Sequence, residues 1–524
     1  MPRLPHAMVT TWDEFRSARN VLSARSADIP LGFAVVRPVD TQDFGFLFPE
    51  LQDDSANLLP EARETRDNLI SLGKTMRDTD AAADDGDSEI PSAYTYFGQF
   101  VDHDITLETT SANLQELLVP DLAPLSLDKI EEEIRNGRTA TLDLDSVYGL
   151  PAPRDSQSPR KMKIGQVTKL NGAGKPLLRP LEKDDDNDLP REPRSVDFTH
   201  DRAALTGDPR NDENTIIVQL HLAFLKAHNR LIDQGKTFRE ARISLRLHYQ
   251  HIILHDFLKR IADPQIVDDI IDNGNRVYDP DEEHFFMPLE FSVAAYRFGH
   301  SMVRAAYDFN LNFNTSGEQS TIPADLGLLF TFTALSGELG NFDTLPENWI
   351  IEWKNFVDVG APFNKARLID TKLVEPLFEL TNLLGQRRHG DRARLAVRNL
   401  LRGYLLRMPT GQAVARALQL HVLTSDEIKQ GAVSDDQVQA LQTGGFLERT
   451  PLWYYILVEV AILVEGRHLG PVGSTIVAEV LVGLARRSPN SILARKDWQP
   501  TLPSQEPDTF TLTDLLRFAG VLEN

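Results

Sequence analysis

Residues 96–104 read Tyr-Phe-Gly-Gln-Phe-Val-Asp-His-Asp. On a helix, Gln99, Asp102 and His103 stand at i, i+3 and i+4 and share one face. An amide, a carboxylate and an imidazole side by side make an unusual face to bury. Asp-His-Asp also has the residue types of a metal site, although the triplet is too short to specify one. The plainer reading is a polar helix end with satisfied side chains, and for a lone histidine it would be the better one.

Two further segments carry chemistry. Gly207-Asp-Pro-Arg-Asn-Asp-Glu-Asn214 leads into a stretch ending His228-Asn-Arg230, with Arg210 and Glu213 pointing the same way from the first turn of a helix. Capping alone would explain that segment, with Asp208 as N-cap, Pro209 at the first helical position and acids in the first turn. Tyr296-Arg-Phe-Gly-His-Ser-Met-Val303 sets His300 in an apolar helix. A neutral imidazole there is either a core residue or an axial metal ligand. His251 and His255, four apart and followed by Asp256, have a spacing that can bind zinc. No glutamate completes an HExxH arrangement, so the pair reads as structural. His221 and His228 read as histidines that satisfy buried hydrogen bonds.

In this order, Gly-Gln-Phe-x-Asp-His-Asp, Gly-Asp-x-Arg-x-x-Glu with His-Asn-Arg, and Arg-x-Gly-His resemble the animal-type haem peroxidase family. This is the peroxidase–cyclooxygenase superfamily, which includes myeloperoxidase. The resemblance covers roughly residues 90–480, closest in these motifs. It implies a mainly α, haem peroxidase-like fold that holds a haem between a distal and a proximal helix. His103 would be the distal acid/base, Arg210 the distal cation and Gln99 the residue holding water or a halide above the iron. His300 would be the proximal iron ligand. Asn399, in Ala-Val-Arg-Asn-Leu-Leu-Arg402, matches the asparagine that bonds the proximal imidazole. Asp102 and Glu213 match carboxylates that form esters with haem methyl groups, which makes the cofactor an ester-linked haem b derivative. Arg297 and Arg402 match arginines near the haem propionates.

These roles have a physical logic. A neutral His103 takes a proton from hydrogen peroxide and returns it to the outer oxygen, which leaves as water. Arg210 stabilises the charge that develops as the O–O bond breaks. An Asn399 carbonyl accepting the proximal N–H would raise the basicity of His300 and favour the iron–oxo state. The implied donors are small anions such as iodide, bromide and thiocyanate, or phenols. Asn214 stands where myeloperoxidase has the methionine of its sulfonium link, which argues against strong chloride oxidation.

Calcium is the second cofactor the resemblance implies. Asp104 follows the distal histidine, and Thr139, Thr141, Asp143 and Asp145 alternate in the loop leading to Val147-Tyr-Gly149. Oxygen ligands on alternate residues can wrap a hard cation, with Thr141 contributing its backbone carbonyl. An ordinary acidic turn would explain the loop if it stood alone.

The elements that must position these residues are helical. Apolar positions recur at three and four residues in 216–232, 243–261, 291–305, 373–384 and 452–464, and predict helices there. Residues 151–193 and 308–345 read as loops, and the acidic run 78–87 as a solvated one. We expect an irregular N-terminal arm over 1–90, a catalytic domain over 91–480, and a tail over 481–524 packed on it.

Composition narrows the partners. With 55 basic and 77 acidic residues the net charge is −22, which argues against a nucleic-acid binder. The absence of cysteine excludes disulfides, thiolate haem ligation and iron–sulfur clusters. It also fits a bacterial-type member of the family. Residues 452–464 are too few for a membrane span and include Glu459, so they predict a buried core helix. The beginning, MPRLPHAMVTTWDEF, lacks the apolar stretch of a signal peptide. The expectation is a soluble chain, cytoplasmic or exported without a classical signal peptide, of undefined oligomeric state.

Two other functions compete. A fatty-acid dioxygenase of the same superfamily places its radical-forming tyrosine three residues before the proximal histidine, where this chain has Arg297; Tyr296 is one residue further off. A non-catalytic haem or calcium adhesion protein would have no need to keep His103, Arg210 and His300 together.

Overall fold

The computed structural model describes residues 42–78, 86–109, 117–149, 153–170, 183–197, 200–279, 285–317, 321–379, 390–495 and 497–523. Most of the expected N-terminal arm and of the acidic run lies outside them. Among the described residues the chain is mainly α, with short strands. The helices include α1 (Arg63–Thr75), α2 (Ala93–Ile105), α3 (Thr215–Asp233), α4 (Phe238–Ile252), α5 (Leu395–Leu405), α6 (Asp435–Gly444), α7 (Leu452–Leu463), α8 (Pro471–Arg487) and α9 (Leu512–Phe518).

Residues 42–78 are less irregular than their composition suggests. Helix α1 packs on α5 and α6, and at the α1–α5 crossing a Cβ on Gly73 would lie 2.8 Å from the Val397 backbone. The predicted helix 216–232 is α3. The one predicted over 243–261 is α4 continued through a π turn, Ile253–Phe257, and a last α turn, Leu258–Ile261. Helix α7 is buried from Leu452 through Val460. Its Glu459 accepts hydrogen bonds from the Val472 and Gly473 amides, two of the orphan donors at the start of α8.

Two predicted helices take other forms. Over 291–305 the backbone makes a π turn, Glu290–Ala294, then 3₁₀ turns, Ala295–His300. Ala294, at φ −125° and ψ −73°, separates the two. Apolar spacing of three and four does not distinguish α from the wider and tighter windings. Over 373–384 there is a strand, Leu373–Val374, and a 3₁₀ turn, Glu375–Phe378; residues 380–384 lie outside the described set. The expected loop 308–345 contains a short helix, Leu326–Thr331.

A four-stranded sheet ties the site elements together, in the order Glu108–Thr109, Arg135–Asn136, Gln42–Gly45, Phe286–Pro288. One edge strand follows α2 and the other precedes the π turn. The sheet therefore fixes the exit of the His103 helix relative to the entry of the His300 segment. No helix among the described residues is long and apolar enough to cross a membrane.

Candidate active site

Helix α2 is buried along Phe97, Phe100, Val101 and Ile105, with Phe100 stacked on Phe224 of α3 at 4.7 Å. This packing turns the face predicted from sequence toward a cleft. The cleft is lined by Gln99, Asp102, His103, Arg210, Arg297, His300 and Arg402. Glu213 and Asn399 are not in its lining but stand one contact behind it. Glu213 accepts a hydrogen bond from Gln99 Nε2, and its Oε1 is 3.9 Å from His103 Nε2.

The Gly207–Asn214 segment is both cap and site. Asp208 caps a 3₁₀ turn, Pro209–Asp212, and Asn214 caps α3 by accepting from Ile217 N. A Cβ on Gly207 would meet the Asp145 carbonyl at 2.3 Å, so this position needs glycine for close approach. Arg210 is buried and donates to Asp208 Oδ2 (2.8 Å), His103 O (3.1 Å) and Thr106 O (2.6 Å). Burial alone would raise the Asp208 pKa, but Arg210 and Arg138 hold it far below the usual range. Asp102 accepts from Thr106 Oγ1 at 2.6 Å and lies 3.9 Å from Arg210 Nη1.

His103 is 1% exposed. Burial, then Arg210, lowers its pKa, which favours the neutral ring. Its Nδ1 is 2.9 Å from Asn211 Oδ1, and Asn211 Nδ2 is 2.9 Å from His221 Nδ1. Sequence reasoning placed His221 among satisfied histidines, which holds, and missed Asn211. Nothing in the residue order distinguishes Asn211 from an ordinary first-turn amide.

On the other side, Asn399 Nδ2 is 2.9 Å from His300 Nδ1, while Asn399 Oδ1 accepts from Arg297 Nη1 at 2.8 Å. The contact with His300 is the expected one, but its polarity is reversed. A guanidinium only donates, so Arg297 takes the carbonyl and leaves the amide for the imidazole. Arg402 pairs with Glu108, another residue that sequence reasoning missed. Tyr296 donates to Gly98 O of α2 at 3.2 Å and also lines the cleft.

The lining chemistry fits a haem. Two imidazoles from separate elements meet there, among Phe44, Phe257, Phe298 and Phe330. Burial depresses the pKa of Arg297, so an anion beside it would be favoured, whereas Arg402 already faces the Glu108 carboxylate. Thr95 Oγ1 and Ser292 Oγ, also in the lining, are buried without hydrogen-bond partners.

The expected calcium residues divide. Asp104 is fully buried and accepts from Leu144 N (3.1 Å) and Ser146 N (2.9 Å). Burial, then Asp143, raises its pKa to about 7, and burial raises that of Asp143 to about 6. Thr139 Oγ1 and Asp143 Oδ1 are buried without partners, which suits a hard cation. Asp145 instead faces Arg138 at 3.4 Å, and the Thr141 carbonyl accepts from Asp143 N at 3.0 Å. Among the described residues no group of three or more His, Cys, Asp or Glu side chains is arranged to hold a metal. The His251 and His255 rings lie 4.6 Å apart, but Asp256 is committed to Tyr94, Arg260 and Leu512 N.

A peroxidase-like protein of Margaritifera margaritifera is 28% identical over 317 residues, 50% of this chain and 38% of that protein. A peroxidasin homolog of Caenorhabditis elegans is 27% identical over 339 residues, 60% of this chain and 23% of that protein. This chain thus matches well under half the length of either relative. Peroxidase A of Dictyostelium discoideum shares the fold with a TM-score of 0.56 at 15% identity, covering 86% of this chain and 88% of that one. The Oryza sativa fatty acid alpha-dioxygenase does so with 0.55 at 13%, covering 89% and 77%. Residues 124–443, well over half the chain, match the animal haem peroxidase family model, and the chain belongs to that family.

Proposed function

We propose that the chain is a peroxidase that reduces hydrogen peroxide and oxidises small anions or phenols. The observation that carries this reading is the meeting of His103, Arg210 and His300 in one cleft lined by arginines and aromatic rings. A haem bound there would supply an iron that accepts peroxide oxygen and stores oxidising equivalents. His300 would hold the iron, with Arg297 taking a propionate and Arg402 another once Glu108 gives way. Asp102, in the cleft lining, would form one ester bond, and for Glu213 to form another Gln99 must first move aside.

The chain's own residues then move one proton. Neutral His103 takes it from peroxide at a ring nitrogen and delivers it to the departing oxygen. Arg210, fixed by Asp208, supplies positive charge as that oxygen leaves. A calcium ion held by Asp104, Asp143 and the Thr139 hydroxyl would neutralise two buried carboxylates, one of them adjacent to His103 in the chain.

A dioxygenase reading has Tyr296 in the cleft and the fold likeness in its favour. Arg297, three before His300, is bonded to Asn399 instead of offering a phenol, and this favours the peroxidase. Stopped-flow mixing with peroxide, followed by iodide or guaiacol, tests the choice. Rapid, donor-dependent turnover supports it. Oxygen uptake with a fatty acid, without donor oxidation, would overturn it.

A further inference from the structure

A histidine that takes a proton must present a lone pair, and an imidazole has two nitrogens at which to place it. Which one is free depends on what binds the other. For His103, Nδ1 faces the Asn211 carbonyl at 2.9 Å. A carbonyl accepts only, so Nδ1 carries the hydrogen and Nε2 carries the lone pair. Asn211 rotated by half a turn would present its NH₂ to Nδ1 and impose the unproductive tautomer. The neighbour that opposes this is His221 protonated at Nε2, whose Nδ1 lies 2.9 Å from Asn211 Nδ2. Burial lowers the His221 pKa to about 3, so its ring is neutral, and with its one hydrogen on Nε2 the Nδ1 lone pair accepts from the amide.

All three groups are at most 1% exposed, and burial strengthens their mutual hydrogen bonds. The backbone adds a second constraint. Asn211 N donates to Asp208 O at 3.1 Å within the 3₁₀ turn that also carries Arg210. One turn thus delivers both the cation and the amide facing the imidazole.

We infer that Asn211 is a positioning residue that fixes His103 with Nδ1 protonated and the Nε2 lone pair free, and that His221 locks the amide in that orientation. This rests on the peroxidase reading of His103. The haem-loaded ferric enzyme is compared with His103→Gln, Asn211→Leu, Asn211→Asp and His221→Phe. Two rates are read: reaction with peroxide, and binding of cyanide, which also surrenders a proton on entry but involves no turnover. Asn211→Leu should slow both by about 10- to 100-fold, less than the roughly 10²–10⁴-fold expected for loss of the base itself. Asn211→Asp keeps an acceptor and should stay within about threefold of wild type. His221→Phe should fall between wild type and Asn211→Leu.

If His103→Gln matches wild type, the peroxidase reading fails. If His103→Gln is slow but Asn211→Leu is fast, only the role of Asn211 fails. A wild-type rate in His221→Phe removes the lock. Should Asn211→Leu not fold, ¹⁵N-histidine spectra of the wild-type ferrous carbonyl form decide. The inference requires a protonated Nδ1 and a bare Nε2 on His103, and the reverse overturns it.

Discussion

Helix α2 brings His103 to the cleft through regular α geometry, whereas the segment 290–300 brings His300 there through a π turn and 3₁₀ turns. The surroundings differ as well. His103 is buried in a network in which Asn211, His221, Arg210 and Asp208 have complementary donors and acceptors. His300 is only half-buried, and its neighbour Asn399 is shared with Arg297. The distal wall is therefore set by protein groups alone. The proximal wall keeps a polarity that an anion near Arg297 would change, because a guanidinium drawn to a carboxylate releases the Asn399 carbonyl for the imidazole.

Four tests bear on that contrast. The largest effect is expected from His103→Ala, which should retain haem and slow the peroxide reaction by about 10²–10⁴-fold, read by stopped-flow absorbance. An unchanged rate would remove His103 from the chemistry.

The walls should also respond oppositely to pH. Glu459, in the helix whose Trp453 donates to the Arg297 carbonyl, has its pKa raised by burial to about 7. A raised carboxyl pKa means the folded state binds more protons than the unfolded state. Stability from this group is therefore lost as pH rises from about 4.5 to 7, to a total of about 3 kcal/mol. Glu459→Gln should flatten that decline in urea melts. Asp208, with its pKa depressed, acts in the other direction: its contribution is present above the usual carboxylate range and is lost as pH falls below it. Asp208→Asn should therefore cost most stability at neutral pH. Parallel pH profiles for the two variants would break the comparison.

A smaller effect concerns the loop beside the distal helix. Chelation, or Asp143→Ala, should lower both the melting temperature and the peroxide rate, with calcium restoring the chelated wild type. If the active enzyme contains no stoichiometric calcium and Asp143→Ala changes neither, the loop is only an acidic turn. The smallest effect is expected from Asn399→Asp. A carboxylate between Arg297 and His300 would bind the Nδ1 hydrogen more strongly, make the ligand more basic and lower the iron reduction potential. An unchanged or higher potential would show that Asn399 does not set the proximal polarity.

The same contrast governs what the sequence could reveal. Gln99, Asp102 and His103 were legible because a regular helix turns i, i+3 and i+4 into one face. The segment around His300 has similar spacing, but spacing does not report a π turn followed by 3₁₀ turns. The role of Asn211 depends on His221 ten residues later, and the polarity of Asn399 on Arg297 about a hundred residues earlier. Both are contacts between elements that no local pattern encodes. Helix α1 was hidden because Gly73 and its polar neighbours lower its helical signal, while its packing on α5 supplies the stability.

The most direct test of a haem held between the two histidines is the absorption spectrum of protein purified from cells supplied with haem precursor. The account predicts a Soret band of one haem per chain in wild type and His103→Ala, and its loss or displacement in folded His300→Ala. A wild type without a Soret band, or a His300→Ala spectrum identical to wild type, would contradict it.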